Sequence, residues 1–185
     1  AEVTITHAQG ETTVPTNPET VVVFDLGALD MLDWAGAAVA GVPEVPNLPE
    51  HLAQYAGESY EKVGTLFEPD YEAVNALEPD LIVVAARSST VYPELSELAP
   101  TIDLTTDDND FLGSIERNLE IVGEIYGVQD RVADALADID ASIAAVNEKA
   151  ADAGTGLIVL TTGGEVSAYG PGSRFGIIHD LLGVA

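Results

Sequence analysis

The run 81-LIVVAA-86 holds six consecutive apolar residues between Asp80 and Arg87. It is too short for a buried helix and shows no polar alternation, so both of its faces must be covered, as in a parallel strand inside α/β layers. The segment before it, 69-PDYEAVNALEPD-80, is predicted to be a helix, with Pro69 near its start and Pro79 after its end. The same unit occurs earlier in 20-TVVVFDLGALDMLDWAG-36. There an apolar strand, Val21 to Phe24, leads through a short loop into an amphipathic helix with Leu29, Leu32 and Ala35 or Gly36 at helical spacing. Alternating strands and helices of this size predict an α/β fold: a parallel sheet with helices on both sides.

Other segments extend the pattern. Residues 2–15 are expected to form two short strands joined at Gln9-Gly10, and 41–49 a short apolar stretch with a Pro-rich loop. Residues 92–100 carry a helical turn or two, followed by a short strand at 101–104. From Asp110 the periodicity changes: Phe111, Ile115, Leu119, Val122 and Ile125 share one helical stripe that stops at Gly127. Asp130 to Ala151 is a second, long helix, about 33 Å at 1.5 Å per residue, and 150-AADAGTG-156 is a flexible joint after it. Strands at 157–160 and 166–169 flank Gly163-Gly164, and a helix at 176–183 follows. The expected organisation is an N-terminal α/β lobe (1–127), a long connecting helix (128–153) and the beginning of a second α/β lobe (154–185). Two strands and a short helix are too little for a core of their own, so the second lobe is expected to be truncated.

Composition excludes several classes. With 32 acidic residues against six Lys and Arg, the net charge of −26 leaves no basic stripe to offset nucleic-acid phosphates. The surplus acid is a solvated surface that maintains solubility, or a surface for a cationic partner or metal. There is no cysteine, so disulfides and thiolate metal sites are ruled out. The apolar runs fall far short of the ~18–20 residues that cross a bilayer. No charged segment and apolar stretch of a secretory signal precede the first strand, so such a signal is expected to have been removed or never present.

Known catalytic motifs do not fit. The loop 170-GPGSRFG-176 spaces its glycines as G-x-G-x-x-x-G, unlike the dinucleotide fingerprint, and neither a Walker A loop nor a G-x-S-x-G elbow is present. His7, His51 and His179 form no H-x-x-x-H or H-x-H pair, so no metal site is expected. Carboxylates are too abundant for any pair, such as Asp107-Asp108, to signal acid–base catalysis.

Arg87 and Arg174 stand apart. Arg87 follows a buried strand at its C-terminal end, the edge of a parallel sheet where ligands bind, with Ser88, Ser89 and Thr90 behind it. Arg174 also follows a strand and sits among glycines that admit a ligand to the backbone. A guanidinium offers a planar fork to paired anionic oxygens and stacks on aromatic rings. Either arginine alone has a simpler reading as the partner of a carboxylate. Two of them at equivalent edges of two layers favour ligand contact.

The G-T-x-x-x-P-D and L-x-P-D-L-I patterns of 63-VGTLFEPDYEAVNALEPDLIVVAARSS-89, with Y-G-P-G-S-R-F-G at 169–176, resemble the siderophore-binding lipoproteins of bacterial ABC importers. These are class III, helical-backbone solute-binding proteins, and the likeness is to their catecholate-siderophore branch. The resemblance implies two α/β lobes joined by the long helix, with ligand held between them. It matches Arg87 to an N-lobe arginine and Arg174 to a C-lobe arginine, both contacting an anionic ferric siderophore. Phe24, Phe67 and Tyr169 are expected to line the cleft, and Ser88 to add a hydroxyl. The branch's further arginine and its iron-completing His and Tyr lie later in the C-lobe. The chain thus corresponds to about the first three-fifths of such a protein, and His179 does not match the ligating histidine.

This resemblance implies a binding module and not an enzyme. Iron arrives within the siderophore, with no covalent cofactor, and cargo passes to an ABC permease. The location implied is extracytoplasmic, in the periplasm or on the cell surface, with membrane association only through an N-terminal lipid anchor absent from this chain. The alternatives are another cargo (haem, a corrinoid or a hydroxamate siderophore) and a small α/β hydrolase, for which no nucleophile–base pair is visible.

Overall fold

The computed structural model describes residues 1–185. The chain divides into two compact units, residues 1–105 with 117–129, and residues 106–116 with 130–185. The first begins with an antiparallel hairpin, β1 (Glu2–His7) and β2 (Gly10–Pro15). It continues through β3 (Val21–Val23), α1 (Leu26–Ala35), β4 (Val39–Val42), β5 (Glu61–Lys62), α2 (Tyr71–Ala76), β6 (Leu81–Val84), α3 (Tyr92–Ser96) and β7 (Thr101–Asp103). Helix α4 (Phe111–Tyr126) gives its residues from Arg117 onward to this unit.

The sheet is parallel throughout, in the order β5-β4-β3-β6-β7. Its central strands explain the unbroken apolar runs. Val21, Val23, Leu81 and Val83 pack on one face with Leu29 and Leu32 of α1 and Val122 and Ile125 of α4. Val22, Phe24, Ile82 and Val84 pack on the other with Val74 of α2 and Leu95 of α3. Alternate residues therefore enter different cores, and each fully buried Val, Leu or Ile contributes roughly 1.5–3 kcal/mol. The helices start where an acid caps them. Asp25 accepts the Ala28 N–H at 2.8 Å and Asp70 the Ala73 N–H at 3.0 Å. Gly36, at φ 83°, ends α1.

Strand β5 was not expected, because Glu61 and Lys62 carry no apolar signal. It is held by parallel pairing with Gly41 and Val42, and by the Lys62 ammonium, which donates to the Tyr55 carbonyl at 2.7 Å. Two further helical turns, at Glu50–Ala56 and Ala86–Val91, lie where no helix was expected.

The second unit contains α5 (Gln129–Ala150) from residue 130 onward, then β8 (Ile158–Thr162), β9 (Glu165–Tyr169) and α6 (Ile177–Asp180). The two strands form an antiparallel hairpin across Gly163 and Gly164, both at positive φ, as a tight two-residue turn requires. Leu157 and Val166 are strongly exposed. Helix α6 is shorter than the eight residues expected, and Gly183 lies beyond it at φ 76°.

Hairpin β1–β2 joins the core through Ile5 and Val14, and joins β7 through His7. The His7 Nδ1 accepts the N–H groups of Gln9 and Asp103, each at 3.3 Å, while Nε2 lies 2.9 Å from the Thr12 hydroxyl. That hydroxyl donates to the Thr101 carbonyl. These partners require a neutral ring with its proton on Nε2. Burial lowers the His7 pKa below the ordinary 6.5, and the Asp103 charge only partly opposes this. In the window between the lowered value and 6.5 the unfolded chain binds more protons, so stability falls as pH drops through that window. A urea midpoint should therefore decrease from about pH 7.5 to about pH 5.5, and His7→Asn, whose amide oxygen can replace Nδ1 as acceptor, should remove most of that decrease.

Loop 64–69 turns back on itself: Thr65 N–H donates to the Glu68 carbonyl, and the Thr65 hydroxyl accepts the N–H groups of Phe67 and Glu68. Gly64 permits this, at φ 102° with no room for a side chain. An added Cβ would run into the Glu68 carbonyl and the Asp70 N–H. Gly64→Ala should cost at least about 2 kcal/mol of stability, measured as a lower urea midpoint at unchanged m-value.

Candidate functional site

The order β5-β4-β3-β6-β7 places a topological switch point between β3 and β6. One chain direction leaves β3 for β4, and the other leaves β6 for β7, which opens a crevice beyond their C-terminal ends. Asp25 follows β3 there, and Arg87 follows β6. The Arg87 side chain is exposed, with its guanidinium carbon 5.8 Å from the Phe67 ring centroid. Phe67 is itself 63% exposed on loop 64–69. A cation over a ring this open to solvent contributes little to folding. It leaves both groups displayed.

Asp25 was not singled out from the sequence, although the argument from the sheet edge applies to it as well. Burial raises its pKa, opposed by the N–H groups of Ala28 and Gly27 and by the charge of Arg87. Among the described residues neither Arg87 nor Arg174 makes an ion pair with a carboxylate.

Two expected contacts are corrected by the fold. Ser88 is completely buried, and its hydroxyl is spent on Ala85, accepting that residue's N–H and donating to its carbonyl, both at 3.1 Å. It closes the turn after β6 and presents nothing to a ligand. Phe24 is also completely buried, because it continues the alternation of β3 into the core with Val22, Val63 and Val74. Among the neighbouring hydroxyls, Ser89 is the one with a polar role beyond its own turn: it donates to Asp103 at 2.5 Å.

In the second unit, Arg174 lies 5.1 Å above the Phe175 ring, which meets Tyr169 edge-on at 4.8 Å between centroids and 81°. Arg174 is exposed and Tyr169 partly so. The turn is built by the Ser173 hydroxyl on the Gly170 carbonyl at 2.6 Å and by the Gly172 N–H on the Asp180 carboxylate at 2.7 Å. Its glycines differ in purpose. A Cβ on Gly170 or Gly172 would meet no other atom within 4 Å, whereas one on Gly176 would strike Asp180 and the Gly172 nitrogen. His179 hydrogen-bonds the Val184 carbonyl at 2.7 Å and is a structural group here. No three His, Cys, Asp or Glu side chains converge among the described residues. No helix is long and apolar enough to cross a membrane.

The petrobactin-binding protein YclQ of Bacillus subtilis is 43% identical over the whole of this chain. Its crystal structure superimposes with a TM-score of 0.94, covering 100% of this chain and 66% of that one. The ferric-anguibactin-binding protein FatB of Vibrio anguillarum is 30% identical over 98% of the chain. The catecholate-siderophore binding protein VctP of Vibrio cholerae is 31% identical, with a TM-score of 0.93 over 100% of this chain and 67% of that one. The chain spans 59% and 58% of the lengths of YclQ and FatB. The sequence profile of the periplasmic binding proteins matches residues 21–185. The chain therefore belongs to the periplasmic binding protein family, whose members are solute-binding proteins.

Proposed function

We propose that this chain forms the ligand-contacting part of an extracytoplasmic protein that binds a ferric siderophore, of the catecholate class, and hands it to an ABC permease for iron uptake. One observation carries the reading. A guanidinium with no carboxylate partner, in a chain of 32 acids, is displayed over an exposed ring at the switch point of a parallel sheet. A ferric catecholate is both anionic and aromatic. The Arg87–Phe67 pair offers a charge-assisted fork and a stacking face for it, and the Arg174–Phe175–Tyr169 group offers the same chemistry in the second unit. The similarity to YclQ, a petrobactin-binding protein, and to VctP, a catecholate-siderophore binding protein, supports this cargo. Iron enters as part of the cargo. The acidic surface suits docking on a basic permease face.

The test is quenching of intrinsic fluorescence by ferric petrobactin in the full-length protein. Arg87→Ala and Arg174→Ala should each weaken binding about 10- to 100-fold at unchanged thermal stability. Phe67→Ala should weaken it by about 2- to 30-fold. A ferric hydroxamate should compete poorly. Equal affinity for both complexes would reject the catecholate assignment, and wild-type affinity in both arginine variants would reject the arginine contacts.

A further inference from the structure

Asp103 is the one carboxylate that this chain buries, at 1% exposure, among 32 acidic residues. A buried charge persists only when its acceptor sites are filled, and here both oxygens are. Oδ2 accepts from the Ser89 hydroxyl at 2.5 Å and from the Gln9 amide at 2.8 Å. Oδ1 accepts from the Thr105 N–H at 2.8 Å and from the Thr105 hydroxyl at 2.5 Å. Each of these partners also reaches the turn that carries Arg87. The Thr105 hydroxyl accepts the Ala86 N–H at 2.9 Å, and the Gln9 amide donates to the Ser89 carbonyl at 2.7 Å.

Residues on either side of Arg87 are thus held through one carboxylate. Ala86 needs such restraint, since at φ 49° it occupies a left-handed conformation that an L-residue with a Cβ adopts reluctantly. Four donors already fill Asp103, so it has no acceptor capacity left to bind the guanidinium. Asp25, the other acid that acts on Arg87, is committed to the N-terminus of α1. Burial opposes the Asp103 charge, yet the bonds from Ser89, Thr105 and Gln9 outweigh it, and its pKa lies below the ordinary carboxylate value.

From this geometry we infer that Asp103 is a positioning residue for ligand recognition: with Ser89, Thr105 and Gln9 it fixes the strained Ala86–Ser89 turn so that Arg87 is presented to the ligand and not paired internally. The inference rests on the reading of Arg87 as a ligand contact.

The experiment is a double-mutant cycle in the full-length protein, with ferric petrobactin as probe and urea unfolding as the check on folding. Asp103→Asn should weaken binding about 3- to 30-fold in the wild-type background and hardly at all in the Arg87→Ala background. Ser89→Ala, a milder change that leaves the carboxylate in place, should weaken binding about 3- to 10-fold, and Ser89→Thr should restore it. The Ser89 pair decides the question if the Asp103 variant does not fold. Asp103→Asn effects of equal size in both backgrounds, or wild-type binding in Ser89→Ala, would overturn the positioning role while leaving Arg87 as a contact. Wild-type binding in Arg87→Ala alone would overturn the contact itself, and the positioning role with it.

Discussion

Strands β3 and β6 have no face open to water, so the sheet can present polar chemistry only beyond their ends. Val21 to Phe24 and Leu81 to Ala85 are buried side by side, alternately entering the two cores. An arginine within either strand would need a partner for a buried charge. Placed after Ala86, Arg87 leaves the core intact and stands where the chain directions diverge. The constraint that makes the strands apolar is therefore the one that locates the candidate site.

Overall charge gives this placement its meaning. With a net charge of −26, an anionic ligand meets a generally repulsive surface, screened beyond about 8–10 Å at moderate ionic strength. Attraction must come from close range. Lys62 is unavailable, since its ammonium is bound to backbone carbonyls around Tyr55. Arg87 and Arg174 are held over aromatic rings, where a charge keeps its field without being neutralised by a carboxylate.

Much of this was legible in the sequence because it depends on local pattern. The apolar runs at 21–24 and 81–86, Pro69 and Pro79 on either side of α2, and the paired glycines at 163–164 each specify their element through short-range physics. The position of Arg87 followed from the strand before it. The errors came where a side chain's direction depends on what lies above it. Phe24 is one residue beyond β3, and only the packing of α2 and α3 decides that its face is a core. Ser88 was read as a donor from its place beside Arg87 at the end of a strand, whereas the helical turn Ala86–Val91 points its oxygen back at Ala85. Asp103 was invisible for a different reason. Its partners Gln9 and Ser89 come from distant sequence, 94 and 14 residues away, and one acid among 32 gives no composition signal.

In the proposed reading, Asp25 sets the terms on which Arg87 meets an anion. Burial makes the Asp25 charge unfavourable, and the N-terminus of α1 and the field of Arg87 both reduce that penalty. The two residues feel each other without an ion pair, so no short contact has to be broken before a ligand binds. A direct Arg87–Asp25 bond would have set desolvation and geometry against every incoming oxygen. A longer-range coupling does less. It steadies Asp25 in the free protein, and a ligand carrying several negative charges can take over the guanidinium while Asp25 keeps its hold on Ala28. The arginine stays available because the nearby carboxylates are already satisfied by backbone and hydroxyl donors.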